Sequence, residues 1–458
     1  MFEPKTHRLS PLDWLMPRSY VSHIICFASS SAPVPQILRN GLVGTLKDVP
    51  YLASEIVDQS RPKGSVTLSE PCAGVDDLFY MRDLSATVNY NDLRAQDFAP
   101  STFNGLDVFG ALGCSASRPR VFQAMLTLMS GGFVLSVSVH HSTTDITGFG
   151  ALLKIWASHC SSHSSRPISF SDNWLDRGAL FPIRHEVADA APIDLPALLH
   201  REAEDDVQKR EPVENFDQLE TLIFKYSSNT LRTLKDEVIQ RLDTDEIPWV
   251  STSDILYGLL WSAVIYAENQ DQIDTASVNL ARRSILRRKQ VRHLRIPVNV
   301  RGRLSPSLPQ NYLGAAFGVC LATVEKADLI DIGAKSGEES IAALARVAMA
   351  VRKAISSVDD KAIKEAVAYL AAQDDLTGLK LGPQAAHVTI VSWADENVYE
   401  LDWGKDLGHC EAVRIPELRK KRHPIILPRL TNGDLEFLVC FNKSTMDLFR
   451  DGLIRNLQ

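Results

Sequence analysis

The stretch Val134-Leu-Ser-Val-Ser-Val-His-His-Ser-Thr-Thr-Asp-Ile-Thr-Gly-Phe-Gly150 decides how this chain is read. Apolar and small polar residues alternate from Phe133 to Val139, the period of a half-buried β-strand. The strand runs into His140 and His141, Asp145 follows four residues after His141, and Gly148 opens an amphipathic run, Phe149 to Trp156, that reads as a helix. A histidine held rigidly at a strand end is well placed to take a proton, because imidazole titrates closest to neutral pH. Alternation sends neighbours to opposite faces, which favours His141 as the base and leaves His140 to structure. The competing reading of His141 is a strand-end histidine satisfied by hydrogen bonds.

Spacing alone proves little, because the chain holds a second copy, His185-Glu-Val-Ala-Asp189. That copy lies in polar, Pro-rich sequence with no strand before it, and such short matches arise by chance.

At 458 residues the chain exceeds one ordinary core, so two domains are expected. A composition of 45% hydrophobic and 23% charged residues fits a globular protein. A net charge of -7 argues against nucleic acid as the partner. The cysteines at 26, 72, 114, 160, 320, 410 and 440 form no Cys-x-x-Cys pair, so no metal site is expected and reduced cytoplasmic thiols are. Met1 to Asp13 is polar and carries Pro4 and Pro11, and no apolar run nears the roughly 20 residues of a membrane span. Neither a signal peptide nor a span is expected.

Strand-like runs at 19–28, 221–226, 294–300, 313–323, 387–393 and 434–441 interleave with helix-like runs at 34–46, 228–241, 255–264 and 338–355. This predicts a mixed α/β fold. Charged, Pro-bounded sequence at 184–215 reads as a linker between a first domain, 1–183, and a second, 216–458. The basic run from Arg282 to Arg295 reads as a solvated face, with phosphate contact as the alternative.

Three ordered segments resemble the fungal, trichothecene-acetyltransferase-like branch of the BAHD acyltransferases. The first is His140-His-Ser-Thr-Thr-Asp-Ile-Thr-Gly-Phe-Gly150. The second is Val298-Asn-Val-Arg-Gly-Arg-Leu-Ser-Pro-Ser-Leu-Pro-Gln-Asn-Tyr-Leu-Gly314. The third is Val391-Ser-Trp393 with Val398-Tyr-Glu-Leu-Asp-Trp-Gly-Lys-Asp-Leu-Gly408 and Glu411-Ala-Val-Arg-Ile-Pro416. Leu9-Ser-Pro-Leu-Asp13 and Ser251-Thr-Ser-Asp254 match more weakly.

The resemblance implies two chloramphenicol-acetyltransferase-like domains with a channel between them. Acyl-CoA, acetyl first of all, is then a co-substrate rather than a resident cofactor, and a small-molecule alcohol of secondary metabolism is the acceptor. A monomer is implied. His141 would be the general base. Asp145 would orient the loop by pairing with Arg301 or Arg303, the competing reading being a helix cap. Gly148 would permit close backbone approach.

Ser392 and Trp393 stand where relatives touch the pantetheine arm. Ser251 and Thr252 are further coenzyme A candidates, equally readable as helix caps. Asp402 and Gly404 would shape a turn away from the chemistry. Two departures stand out. Trp403 and Lys405 replace the Phe and the later Trp of many plant members, which leaves the oxyanion donor open, and Ile146 replaces a small residue. The competing functions are a condensation-domain-like enzyme using a carrier-bound donor and a non-catalytic member of the family.

Overall fold

The computed structural model describes residues 8–28, 33–109, 117–161, 170–182, 194–202, 218–243, 245–275, 290–335, 337–383, 386–416, 418 and 420–455. The second His-x-x-x-Asp, most of the linker segment and the basic run up to 289 lie outside these residues.

The histidine strand, Gly132–His140, is the middle of a five-stranded sheet. Its neighbours are Tyr20–Ala28 and Phe122–Met129, both antiparallel to it. Phe79–Asp83 closes one edge in parallel pairing. All nine residues of the histidine strand are buried, where alternation predicted a half-buried one. The sheet is covered on both faces. Phe133, Leu135, Val137 and Val139 enter the main core, while Val134 enters a second cluster with Tyr90, Leu93 and Phe98. The small polar residues between them are spacers, and Ser138 shares a 2.7 Å hydroxyl contact with Ser22 across the strand pair.

The helix after the histidine loop spans Ile146–Cys160, beginning before Gly148 because Asp145 is its N-cap. The Asp145 side chain accepts the Gly148 N–H at 2.9 Å, satisfying one of the donors a helix start leaves unpaired. The helix buries Phe149, Leu152, Leu153, Ile155 and Trp156.

In the second half, Leu219–Tyr226, Leu435–Asn442, Ile425–Ile426 and Val391–Ser392 form a four-stranded sheet. Phe317–Glu325, Val291–Asn299 and Val388–Thr389 form a three-stranded one. The strand-like run 387–393 is therefore split, one part parallel to Leu294–Arg295 and the next parallel to Ile425–Ile426. The helix Thr252–Thr275 is sunk in this half, with Ile255, Leu256, Leu259, Leu260, Trp261, Ala263 and Val264 all buried. The stretch 255–267 of this helix is apolar around nearly its whole circumference and needs such a place.

The C-terminal sequence also reaches into the first half. Ala412–Arg414 adds an antiparallel strand beside Ile24–Cys26. Trp403, fully buried, packs edge-on against Phe27 (5.7 Å between ring centres) and against Trp156 at 5.8 Å. Among the described residues no helix is long and apolar enough to cross a membrane.

Candidate active site

His141 leaves the sheet in a single 3-10 turn, His141–Thr143, its N–H donating to the Ser19 carbonyl at 2.8 Å. Its Nδ1 lies 2.9 Å from the Thr144 carbonyl oxygen. A carbonyl can only accept, so Nδ1 carries the proton and Nε2 keeps a lone pair. Burial pushes the pKa of His141 down, against the opposing pull of the Thr144 hydrogen bond and of Asp145. The imidazole is therefore neutral at physiological pH, the form a base needs. His140 is turned to structure: its Nδ1 accepts the Ser142 N–H at 3.3 Å and its ring meets Tyr20 edge-on.

Asp145 is occupied on both oxygens. Oδ1 accepts from Arg301 Nη2 at 2.8 Å and from the Gly148 N–H; Oδ2 accepts from Arg301 Nη1 at 2.9 Å and from the Ala316 N–H at 2.8 Å. The carboxylate is cap and ion pair at once. Burial pushes its pKa up, but the Arg301 charge and these hydrogen bonds hold it below the usual carboxylate range. Four donors leave nothing for His141. Arg301 is fully buried and spends its other N–H groups on the carbonyls of Tyr312 and Gly314. Arg303 instead binds the carbonyls of Ile355 and Val358. At Gly148 a Cβ would stand 2.6 Å from the Leu313 carbonyl oxygen, so the helix start and the 312–316 segment touch only because this residue has no side chain.

A second buried ion pair braces the same loop. Arg177 Nη1 is 3.1 Å from Asp13 Oδ1, and its Nη2 donates to the Thr143 carbonyl at 2.7 Å. The sequence offered no signal for Arg177, because its partner lies 164 residues away and no motif surrounds it.

His141 opens on a cavity of about 780 Å³ between the two halves. Asn299, Ser392, Trp393, Ser251, Arg303 and Glu396 line it too, as does Ile146. Thr252, Asp402, Gly404 and Lys405 do not line it. The Ser251 hydroxyl is engaged in a capping box with Asp254 and by Arg352. Asp402 accepts the Gly404 N–H at 2.8 Å, and Gly404 (φ +94°) stands against Ser161, closing a turn on the first half's helix. His423 is a second histidine in the cavity wall, but burial and then Lys420 drive it down to about 3, too weak for a base.

Asn299 was visible only as part of the second motif. Its Oδ1 accepts from the N–H and Nη1 of Arg301, at 3.1 and 3.3 Å. That fixes the amide so that Nδ2 is the free donor, with only a 3.4 Å contact to Thr147 Oγ1. Asn299 pairs across the strands with Phe317, whose ring centre is 6.4 Å from that of His141.

An imidazole of fixed tautomer, on the wall of a cavity lined by both halves and with its loop clamped by arginines, can take a proton from a group bound beside it. The Transferase family model matches residues 3–453, and the chain belongs to that family, the BAHD-type acyltransferases. It is similar to the O-acetyltransferase ptmV of Penicillium ochrochloron, 24% identical with 96% of this chain and 94% of that protein covered. Acyltransferase BOA11 of Botryotinia fuckeliana is 24% identical, covering 97% and 95%. In fold it is similar to F. graminearum TRI101 complexed with coenzyme A and deoxynivalenol, with a TM-score of 0.76, 17% identity and 96% and 95% of the two chains covered.

Proposed function

We propose that the protein transfers an acyl group, acetyl first of all, from acyl-CoA to a hydroxyl of a small-molecule secondary metabolite, with His141 as general base. The observation that carries this reading is the neutral imidazole, its Nδ1–H committed to Thr144, on the wall of a cavity open to both halves. Nε2 accepts the hydroxyl proton as the oxygen attacks the thioester carbonyl. The tetrahedral intermediate then expels the coenzyme A thiolate, which takes the proton back from the imidazolium. Base help of this kind gives about 10²–10⁴-fold, and positioning in the cavity supplies much of the rest.

The Asn299 amide is the oxyanion donor this arrangement offers, since Arg301 presets its orientation before substrate arrives. Arg303 is held by carbonyls rather than by a carboxylate among the described residues, so its charge is available to a phosphate-bearing donor. Arg352 lines the same cavity. We place the donor at this end, past Ser251, with Ser392 and Trp393 along its path. The free cysteines among the described residues suit the cytoplasm.

The test is release of free thiol from acetyl-CoA with a panel of fungal sesquiterpenoid and polyketide alcohols, comparing wild type with His141→Ala. Ester formation that disappears in the variant supports the reading. Equal turnover would remove His141 from the chemistry, and turnover only with a carrier-loaded donor would replace coenzyme A.

A further inference from the structure

Of the acidic groups in the cavity wall that the proposed chemistry does not use, Asp254 is paired with Arg352 and Asp395 is exposed, which leaves Glu396. Glu396 is 8% exposed, and its carboxyl fills the space that a side chain at Gly150 would take. It is hydrogen-bonded to the Thr147 side chain, two residues beyond Asp145 on the helix that starts at the catalytic loop. Glu396, Thr147 and Asn299 all line the cavity, so this group sits where the histidine loop, the Asn299 strand and the segment after Trp393 converge. The two arginines of the cavity wall, Arg303 and Arg352, are bound elsewhere, to the 355–358 turn and to Asp254. Glu396 is thus a buried carboxyl, hydrogen-bonded to a hydroxyl and lining the same cavity as His141, while the cavity's two arginines have other partners.

We propose that the Glu396 carboxyl is a specificity-determining group that hydrogen-bonds to an oxygen of the acceptor close to the hydroxyl that is acylated. The acceptor class is then a polyoxygenated neutral molecule, a diol or hydroxyketone, and not a simple alcohol or an amine. The inference rests on the acyl-transfer reading above.

The surroundings of Glu396 act on its charge in both directions. Burial raises its pKa first of all, and the nearby carboxylates of Asp145 and Asp395 add to this. The Thr147 hydrogen bond and the Arg301 charge oppose it, and the balance stands at about 8. Arg301 is already committed to Asp145 and to the carbonyls of Tyr312 and Gly314, and His141 in the same cavity is neutral. At pH 7 the carboxyl therefore carries its proton and donates, and the donor is lost as pH rises through about 8. An amide keeps a donor at every pH; a methyl group has none.

The experiment measures kcat/KM for trans-cyclohexane-1,2-diol against cyclohexanol with acetyl-CoA, by thiol release, in wild type, Glu396→Gln and Glu396→Ala. Wild type is expected to favour the diol by roughly three- to tenfold at pH 7, the worth of one hydrogen bond to a neutral group. The preference should persist in Glu396→Gln at pH 7 and pH 9 and be absent in Glu396→Ala at both; with 2-hydroxycyclohexanone, whose ketone oxygen can only accept, the wild-type preference should fade at pH 9. KM for acetyl-CoA should not move. A preference retained in Glu396→Ala overturns the inference, as does a Glu396→Gln variant that loses it. Higher activity of wild type on cyclohexylamine than on the diol, abolished in Glu396→Gln, replaces the neutral acceptor by a cationic one. If wild type acylates no alcohol of any kind, the acyl-transfer reading itself falls, an outcome separate from the others.

Discussion

Changing Asp145 to Asn separates a carboxylate that holds a loop from one that handles protons. The wild-type group accepts four hydrogen bonds, at 2.9 Å from Arg301 Nη1, 2.8 Å from Arg301 Nη2, 2.9 Å from Gly148 and 2.8 Å from Ala316. Asparagine keeps one acceptor and turns the other into a donor. Whichever way the amide sits, it then faces one guanidinium N–H and one backbone N–H with hydrogens of its own. The fully buried Arg301 also loses its counter-charge. Breaking a buried pair from one side costs about 3–5 kcal/mol, a large part of a total stability of about 5–15 kcal/mol.

At about 2–4 °C per kcal/mol for a domain of roughly 200 residues, the melting temperature should fall by about 6–20 °C. Differential scanning calorimetry reads this directly. The difference should be constant from pH 5 to 8, because the native carboxylate has the lower pKa, and it should shrink as acid protonates Asp145 below the usual carboxylate range. Turnover should fall by about 10²-fold through the displaced loop. The pH profile of the residual activity should keep its shape. A variant that melts with the wild type and yet shows a displaced acid limb would refute the reasoning and return Asp145 to proton chemistry.

The remaining predictions are these. The acid limb of kcat/KM should lie below pH 6.5, since burial lowers the pKa of His141 and the base form survives down to that value; His141→Ala should lose about 10²–10⁴-fold in kcat while still binding acetyl-CoA in calorimetric titration. Asn299→Ala should lower kcat by about 10²-fold with little change in either KM, and unchanged kinetics would remove it as oxyanion donor. Gly148→Ala places a methyl group 2.6 Å from the Leu313 carbonyl oxygen, and urea unfolding should show a loss of about 1–3 kcal/mol. Glu396→Gln should melt higher than wild type at pH 8 and level with it near pH 4, because a raised carboxyl pKa drains stability as pH climbs from the unfolded value to about 8.

Much of the fold was legible because it is written in local pattern. The strand that carries His140, the helices at Val34–Asp48 and Glu338–Ser356, and the mixed architecture follow from periodicity over short windows. The depth of the histidine strand was not legible, since alternation with serine looks the same whether the second face meets water or a second core. Nor was the start of the next helix, because Asp145 had two readings, cap or ion pair, and it takes both roles.

The sequence by itself determined the family-like order of its motifs and the candidate base, His141. Those depend on residue type and spacing, which one chain displays in full. Only the tertiary structure decided that Arg301, not Arg303, meets Asp145, that Arg177 braces Thr143 through Asp13, and that Glu396 sits buried in the cavity wall. Asp145 and Arg301 are 156 residues apart, and Arg303 is two residues from Arg301 with the same charge. What separates the two arginines is the direction in which the turn after Asn299 aims each guanidinium. That direction is set by packing between elements distant in the chain, and no local window contains it.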